Sequence, residues 1–203
     1  MSYADMTVRE FVEELSTDSA TPGGGSAAAI AGAMGAALGE MVCNLTIDKE
    51  GFEDVEDEME AARDALEGRR ERLLELADED SAAFDELMAA FRTPEDEGKA
   101  EAIEAASKTA AEVPMETAQE CLGVIEESID VAAAGNPNAV TDAGTAALLA
   151  HAALESALYN VEINLGSIDD GTFRAEMQEK TDRLVEDADD ALAEVQGAVD
   201  ENL

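Results

Sequence analysis

The chain has 203 residues, enough for one domain with a full core and short for two. Its 49 acidic and 12 basic residues give a formal net charge of -37, which argues against a basic nucleic-acid groove and against attraction to an anionic lipid surface. Aromatic residues make up only 3% and tryptophan is absent, so small and aliphatic side chains must close the core, as in tightly packed helices.

The first helical signal is the capping box Thr7-Val8-Arg9-Glu10, followed by an apolar face of Val8, Phe11, Val12 and Leu15 that ends near Ser16. Thr17 to Gly25 reads as loop. The stretch Thr21-Pro22-Gly23-Gly24-Gly25-Ser26 then opens a helix of small residues that runs to about Ile47. Residues 52–91 read as one long helix with a candidate break at Gly68. Its stripe is Leu66, Leu73, Ala77, Phe84, Leu87 and Phe91. Thr93-Pro94-Glu95-Asp96 is expected to start the next helix, with Thr93 as N-cap and Pro94 at the first helical position. Pro114 is expected to kink or restart that helix, and Gly135 ends it. Asn136-Pro137-Asn138 is a turn. Another helix opens at Thr141-Asp142-Ala143-Gly144 and ends at Leu165-Gly166, and residues 172–199 form the last.

No alternating strand pattern occurs. The expected fold is all-α, a single domain over residues 1–203 built as an up-and-down helical bundle of about five to seven helical segments. The acidic residues are spread through segments that also carry a core stripe, which disfavours a disordered acidic tail. Self-repulsion on this scale points to a salt-rich, halophilic cytoplasm. Cys43 and Cys121 fit buried free thiols, in neither a disulfide framework nor a metal spacing. The first residues lack the pattern of a signal peptide. Residues 26–47 have the small-residue face of a membrane span at Gly35 and Gly39, but Glu40 and Asn44 interrupt it, so a closely packed bundle helix is the expectation.

Several residues could carry chemistry. The glycine loop at Gly23 to Gly25 allows close approach of a ligand, and the helix after it offers free N–H groups to an anion or polar group; the alternative is a tight turn with a cap. It matches neither a Walker loop nor a dinucleotide fingerprint. Asp80 stands in the core stripe where an apolar residue belongs, while Asp78 and Glu79 lie off it. A carboxylate facing the interior has its pKa raised by desolvation, which suits a general acid/base; the alternative is an acid that reaches an edge or pairs structurally. Lys108, one of four lysines, is a candidate partner for Asp80 or a holder of an anionic substrate, against a plain surface charge. Asn160 and Asn164 share a helix face and suit a polar pocket. His151, the only histidine, supports neither a di-iron site nor a serine triad and reads as structural.

With these residues in order, the chain resembles the cyclodeaminase/cyclohydrolase family of tetrahydrofolate enzymes. The resemblance rests on Phe11-Val12 with Leu15-Ser16, the loop Thr21 to Ser26, Met41-Val42 with Asn44-Leu45-Thr46, and Asp78-Glu79-Asp80 with Ala83-Phe84. Val113-Pro114, Gly135-Asn136, Asp142 and Asn160-Val161 with Ile163-Asn164-Leu165 continue it. It implies a homodimeric bundle that needs no metal and no cofactor, a catalytic carboxylate at Asp80, and a folate surface made by Pro22, Gly23, Gly24, Gly25, Ser26, Asn136, Asp142, Asn160 and Asn164. The implied reaction is hydrolysis of 5,10-methenyltetrahydrofolate to 10-formyltetrahydrofolate. Cyclodeamination of 5-formiminotetrahydrofolate is the close alternative, and a non-catalytic folate-binding or scaffold bundle the third. Family members are often more basic around the pocket; here Arg92, Lys49 and Lys108 are the cations available for a polyglutamate tail.

Overall fold

The computed structural model describes residues 2–95 and 98–203. Among them lie six α-helices, two short 3-10 turns and no strand. The helices are α1 (Val8–Leu15), α2 (Gly24–Asn44), α3 (Glu56–Phe91), α4 (Lys99–Ala134), α5 (Val140–Leu165) and α6 (Gly171–Asn202). One 3-10 turn, Tyr3–Asp5, precedes α1 and the other, Pro137–Ala139, leads into α5.

The five long helices alternate in direction. Ser26 at the start of α2 meets Asp80 late in α3, and Glu40 near its end pairs with Arg70 at 2.6 Å. Arg72 and Arg69 of α3 reach Glu116 and Glu120 of α4 at 2.7 and 2.9 Å. His151 of α5 lies 2.8 Å from Asp189 of α6, the structural role expected for it. Helix α2 is central, packed between α3 and α5 and also touching α4. Small residues make this possible: a Cβ at Gly35 would sit 2.7 Å from the carbonyl oxygen of Ala146 on α5. The core is therefore closed by alanines of α2 and α5 with Leu66, Leu73, Leu76, Ile125 and Leu154, all fully buried. Cys43 and Cys121 are buried free thiols, and burial pushes the Cys43 thiol up to about 11. Among the described residues α2 is the one helix long and apolar enough to cross a membrane; in the bundle 56% of that stretch is buried.

The capping box forms as expected: the Glu10 amide donates to Thr7 Oγ1 and the Thr7 amide to the Glu10 carboxylate. Three expectations are corrected. Helix α3 runs unbroken through Gly68, which is exposed and leaves the ladder intact. Thr93 and Pro94 do not start α4; Gly98, in the left-handed region, occupies its N-cap, and Asp96 lies outside the described residues. Pro114 does not restart the helix, since α4 runs through it over 36 residues. Proline cannot donate to the carbonyl four residues earlier, Ala110. That carbonyl instead accepts from Nδ2 of Asn164 on α5 at 2.6 Å, so the bond lost within α4 is replaced from outside.

Candidate active site

The N-terminus of α2 has Gly23 at its N-cap and no side chain of its own to cap it. Asp80, from α3, fills that role. Its Oδ2 accepts from the Ser26 amide at 2.9 Å and from the Ser26 hydroxyl at 2.9 Å. Among the described residues no hydrogen bond is recorded to Oδ1. Gly25 is what lets the carboxylate come so close, because a Cβ there would overlap the Asp80 carboxyl group. Burial pushes the Asp80 pKa up, and the two bonds from Ser26 partly oppose it. Helix-capping thus accounts for one carboxylate oxygen, Oδ2.

Next along the same rim, Gly24 faces the amide of Asn160. Both line a cleft of ≈ 440 Å³ between α2 and α5, whose walls include Ala27, Ala31, Ser156 and Tyr159. The wall is mostly apolar, and Tyr159 stands 70% exposed at its edge. Asn160 Nδ2 donates to the Ser156 carbonyl at 2.8 Å, which fixes the side chain. A flat heteroaromatic ring would find apolar surface here and polar atoms at the Gly24–Asn160 end.

The other sequence candidates separate from this cluster. Pro22 is buried in the loop before α2. Asn164 is occupied with the Ala110 carbonyl. Lys108 does not pair with Asp80: its Nζ lies 2.7 Å from Asp170 and 3.7 Å from Glu104, over the Phe173 ring at 5.2 Å. Asp170 caps α6, which favours the ion pair over any reach toward α3. Asn136 and Asp142 lie at the far end of α2 and α5. Asn136 donates through Nδ2 to the Leu45 carbonyl at 3.0 Å, and its amide to Thr46 Oγ1 at 2.9 Å. The 21 residues of α2 separate that end from Ser26, roughly 30 Å at about 1.5 Å per residue. Within one chain they are not part of the Asp80 site. Sequence reasoning missed Ser81 and Tyr3, which stand behind Ser26: Ser81 Oγ is 3.1 Å from Ser26 Oγ and 2.8 Å from the Tyr3 hydroxyl. The position of Ser81 beside Asp80 was the signal available; Tyr3 had none.

Comparison with known proteins places this arrangement in a lineage. Residues 7–183 match the family model described as formiminotransferase-cyclodeaminase. A methenyltetrahydrofolate cyclohydrolase of Methylorubrum extorquens is 41% identical over 187 residues, covering 90% of each chain. The formimidoyltransferase-cyclodeaminase of Gallus gallus is 35% identical over 183 residues, 88% of this chain and 34% of that protein, so the chain spans about a third of that relative. The crystal structure of formiminotetrahydrofolate cyclodeaminase from Thermotoga maritima superimposes with a TM-score of 0.92 at 35% identity, covering 98% of both chains. The chain belongs to the formiminotransferase-cyclodeaminase family.

Proposed function

We propose that the protein is a tetrahydrofolate one-carbon enzyme that hydrolyses 5,10-methenyltetrahydrofolate to 10-formyltetrahydrofolate, with Asp80 as general base and acid. The observation that carries this reading is the half-buried Asp80 carboxylate with Oδ2 held by Ser26 and, among the described residues, no hydrogen bond to Oδ1; it packs against Gly25, whose neighbour Gly24 lines a cleft that suits a flat ring. The relative that matches the chain over nine-tenths of both lengths supports the cyclohydrolase direction.

Asp80 takes a proton from a water whose oxygen bonds to the amidinium carbon between N5 and N10. The neutral adduct collapses by breaking the C–N5 bond, and Asp80 returns its proton to N5 as the adduct hydroxyl loses its own. A cation and water become a neutral formamide and one released proton. The carbon is already electrophilic, so we propose no metal and no cofactor. In the cyclodeaminase direction the same carboxyl would serve attack by N10 and departure of ammonia. That second reading is favoured by the Thermotoga maritima structure, which carries the name of that activity.

We also propose a cytoplasmic, salt-adapted homodimer. Buried free thiols fit a reducing compartment. The exposed residues of α2 include Met34 and Met41 with no exposed charge, and Leu148, Ala152, Tyr159 and Ile163 follow on α5, with Glu155 and Glu162 exposed among them. In a chain of charge -37 such a face suits a second copy. An antiparallel two-fold pairing of it would set the Asn136 end of one copy beside the Asp80 end of the other.

The test is loss of methenyltetrahydrofolate absorbance in concentrated KCl, for wild type and Asp80→Asn, with and without a chelator. Wild type should turn over regardless of chelator, and the folded variant should lose about 10²–10⁴-fold. Full activity of the variant would sink the proposal. No turnover by either protein redirects the assay to formiminotetrahydrofolate and ammonia release; silence there leaves a binding module.

A further inference from the structure

We propose that Tyr3 and Ser81 are positioning residues for Asp80: a chain of hydroxyls from the N-terminal turn holds Oδ2 as an acceptor and leaves Oδ1 as the oxygen that takes the proton. This rests on the reading of Asp80 as the base and assigns it a supporting structure. Proton directions follow by elimination. Ser26 donates its only hydroxyl proton to Asp80 Oδ2 at 2.9 Å. Toward Ser81, 3.1 Å away, it must accept, so Ser81 donates. Toward Tyr3, 2.8 Å away, Ser81 must then accept, so the phenol donates. Every proton points to the carboxylate, and each bond polarises the next.

The chain is shielded: Ser26 is 0% and Ser81 8% exposed. Tyr3 is fixed at its outer end by two further contacts. Its amide donates to Asp78 Oδ1 at 2.8 Å, and its ring meets Phe11 edge-on at 5.7 Å. Tyr3 precedes residue 7, where the family match begins. The charged residues next to Asp80 in sequence, and Lys108 on α4, are engaged elsewhere. Asp78 accepts from Tyr3, Glu79 is held by Arg72, and on α4 Lys108 is held by Asp170 and Glu104. Helix α2 presents glycines and Ser26, and α5 presents the neutral Asn160. The bonds from Ser26 oppose burial in setting when Asp80 ionises, and Ser81 and Tyr3 stand behind the Ser26 hydroxyl.

The experiment is the pH profile of kcat/KM at fixed KCl for wild type, Tyr3→Phe, Ser81→Ala and their double variant. Tyr3→Phe keeps the ring packing and the backbone bond and removes only the phenol; Ser81→Ala carries the same test from within α3. The chain stabilises the carboxylate, so its loss should move the acid limb to higher pH by about half to one unit. Above the limb the variants should match or exceed wild type, with KM unchanged. The double variant should shift no further than Ser81→Ala, because the links are in series. A uniform fall in rate with the limb in place would mean a merely structural role and overturn the inference. So would limbs that coincide with wild type while Asp80→Asn is dead. A wild type with no acid limb, or an active Asp80→Asn, would instead overturn the reading of Asp80 itself.

Discussion

Asp80 caps α2 with one oxygen, Oδ2, and in the function proposed here would act on the substrate with the other. Its folded pKa lies above the ordinary carboxylate value because burial outweighs the bonds from Ser26. The folded protein therefore binds that proton more tightly than the unfolded chain, and ionisation of Asp80 removes stability as pH rises through its folded value. Asn at this position can still accept from Ser26 without the buried charge. We expect Asp80→Asn to melt at or above wild type at pH 8, with the difference shrinking as pH falls below the folded pKa of Asp80 and vanishing near the ordinary carboxylate value. A variant that melts lower by the same margin at every pH would contradict this. That Asp80 faces a neighbouring helix was legible in the sequence because it breaks an apolar stripe. Lys108 misled, since its true partner, Asp170, lies 62 residues further on at a helix cap. Asn164 has a structural duty the sequence did not show: it answers the carbonyl freed by Pro114. That relation is testable as a pair. Asn164→Ala leaves the Ala110 carbonyl short of a donor and should cost about 1–3 kcal/mol. In a Pro114→Ala background residue 114 regains its amide, so the cost of Asn164→Ala should shrink sharply. Equal costs in both backgrounds, read from denaturant melts, would refute the coupling.

At the scale of elements, the sequence was legible wherever local chemistry decided the outcome. The capping box at Thr7 and the helix ends at Gly135 and Gly166 all fall where composition put them. It misled where a neighbour overrode the local signal, as at Pro114, or where the signal was only permissive, as at Gly68, whose exposed position asks nothing of a side chain. The start of α2 combines both cases. Three glycines announce close approach, but not which one is approached. The structure separates them: a Cβ at Gly24 would lie an ordinary 3.7 Å from Asn160, whereas one at Gly25 would overlap Asp80. Gly25→Ala should therefore displace the carboxylate, lower turnover at least tenfold and destabilise the protein by about 1–3 kcal/mol. Gly24→Ala should leave the melting temperature close to wild type, since alanine suits a first helical turn. If the two variants melt alike, the close approach at Gly25 is not what positions Asp80.

For the whole molecule the decisive quantity is the charge of -37. Of the arginines that bridge helices, Arg70 and Arg72 have carboxylates on both sides of the interface, and Arg69 reaches Glu120 across it. They join α3 to its neighbours but leave most acidic residues facing one another across solvent. Salt acts on both kinds of interaction. It weakens exposed ion pairs, each contributing about 0–1 kcal/mol. It also screens repulsion among several dozen carboxylates, whose range falls from about 10 Å at 0.1 M to about 3 Å at 1 M. Repulsion involves many more pairs than the bridges do, so screening wins, and the melting temperature should rise steadily from 0.1 M to molar KCl. Mild acidification toward pH 5 should partly replace the salt, because it removes the same charges. Association of two copies faces the same repulsion over a longer range, and Glu155 and Glu162 are exposed on α5 beside the apolar residues of the α2–α5 face. Dimer content measured by sedimentation should therefore increase with KCl alongside the melting temperature. A single substitution on that face, Met34→Asp, should lower dimer content while leaving the KCl dependence of melting in place. Stability that is flat or falls with KCl would mean that the ion pairs, not the net charge, govern this fold.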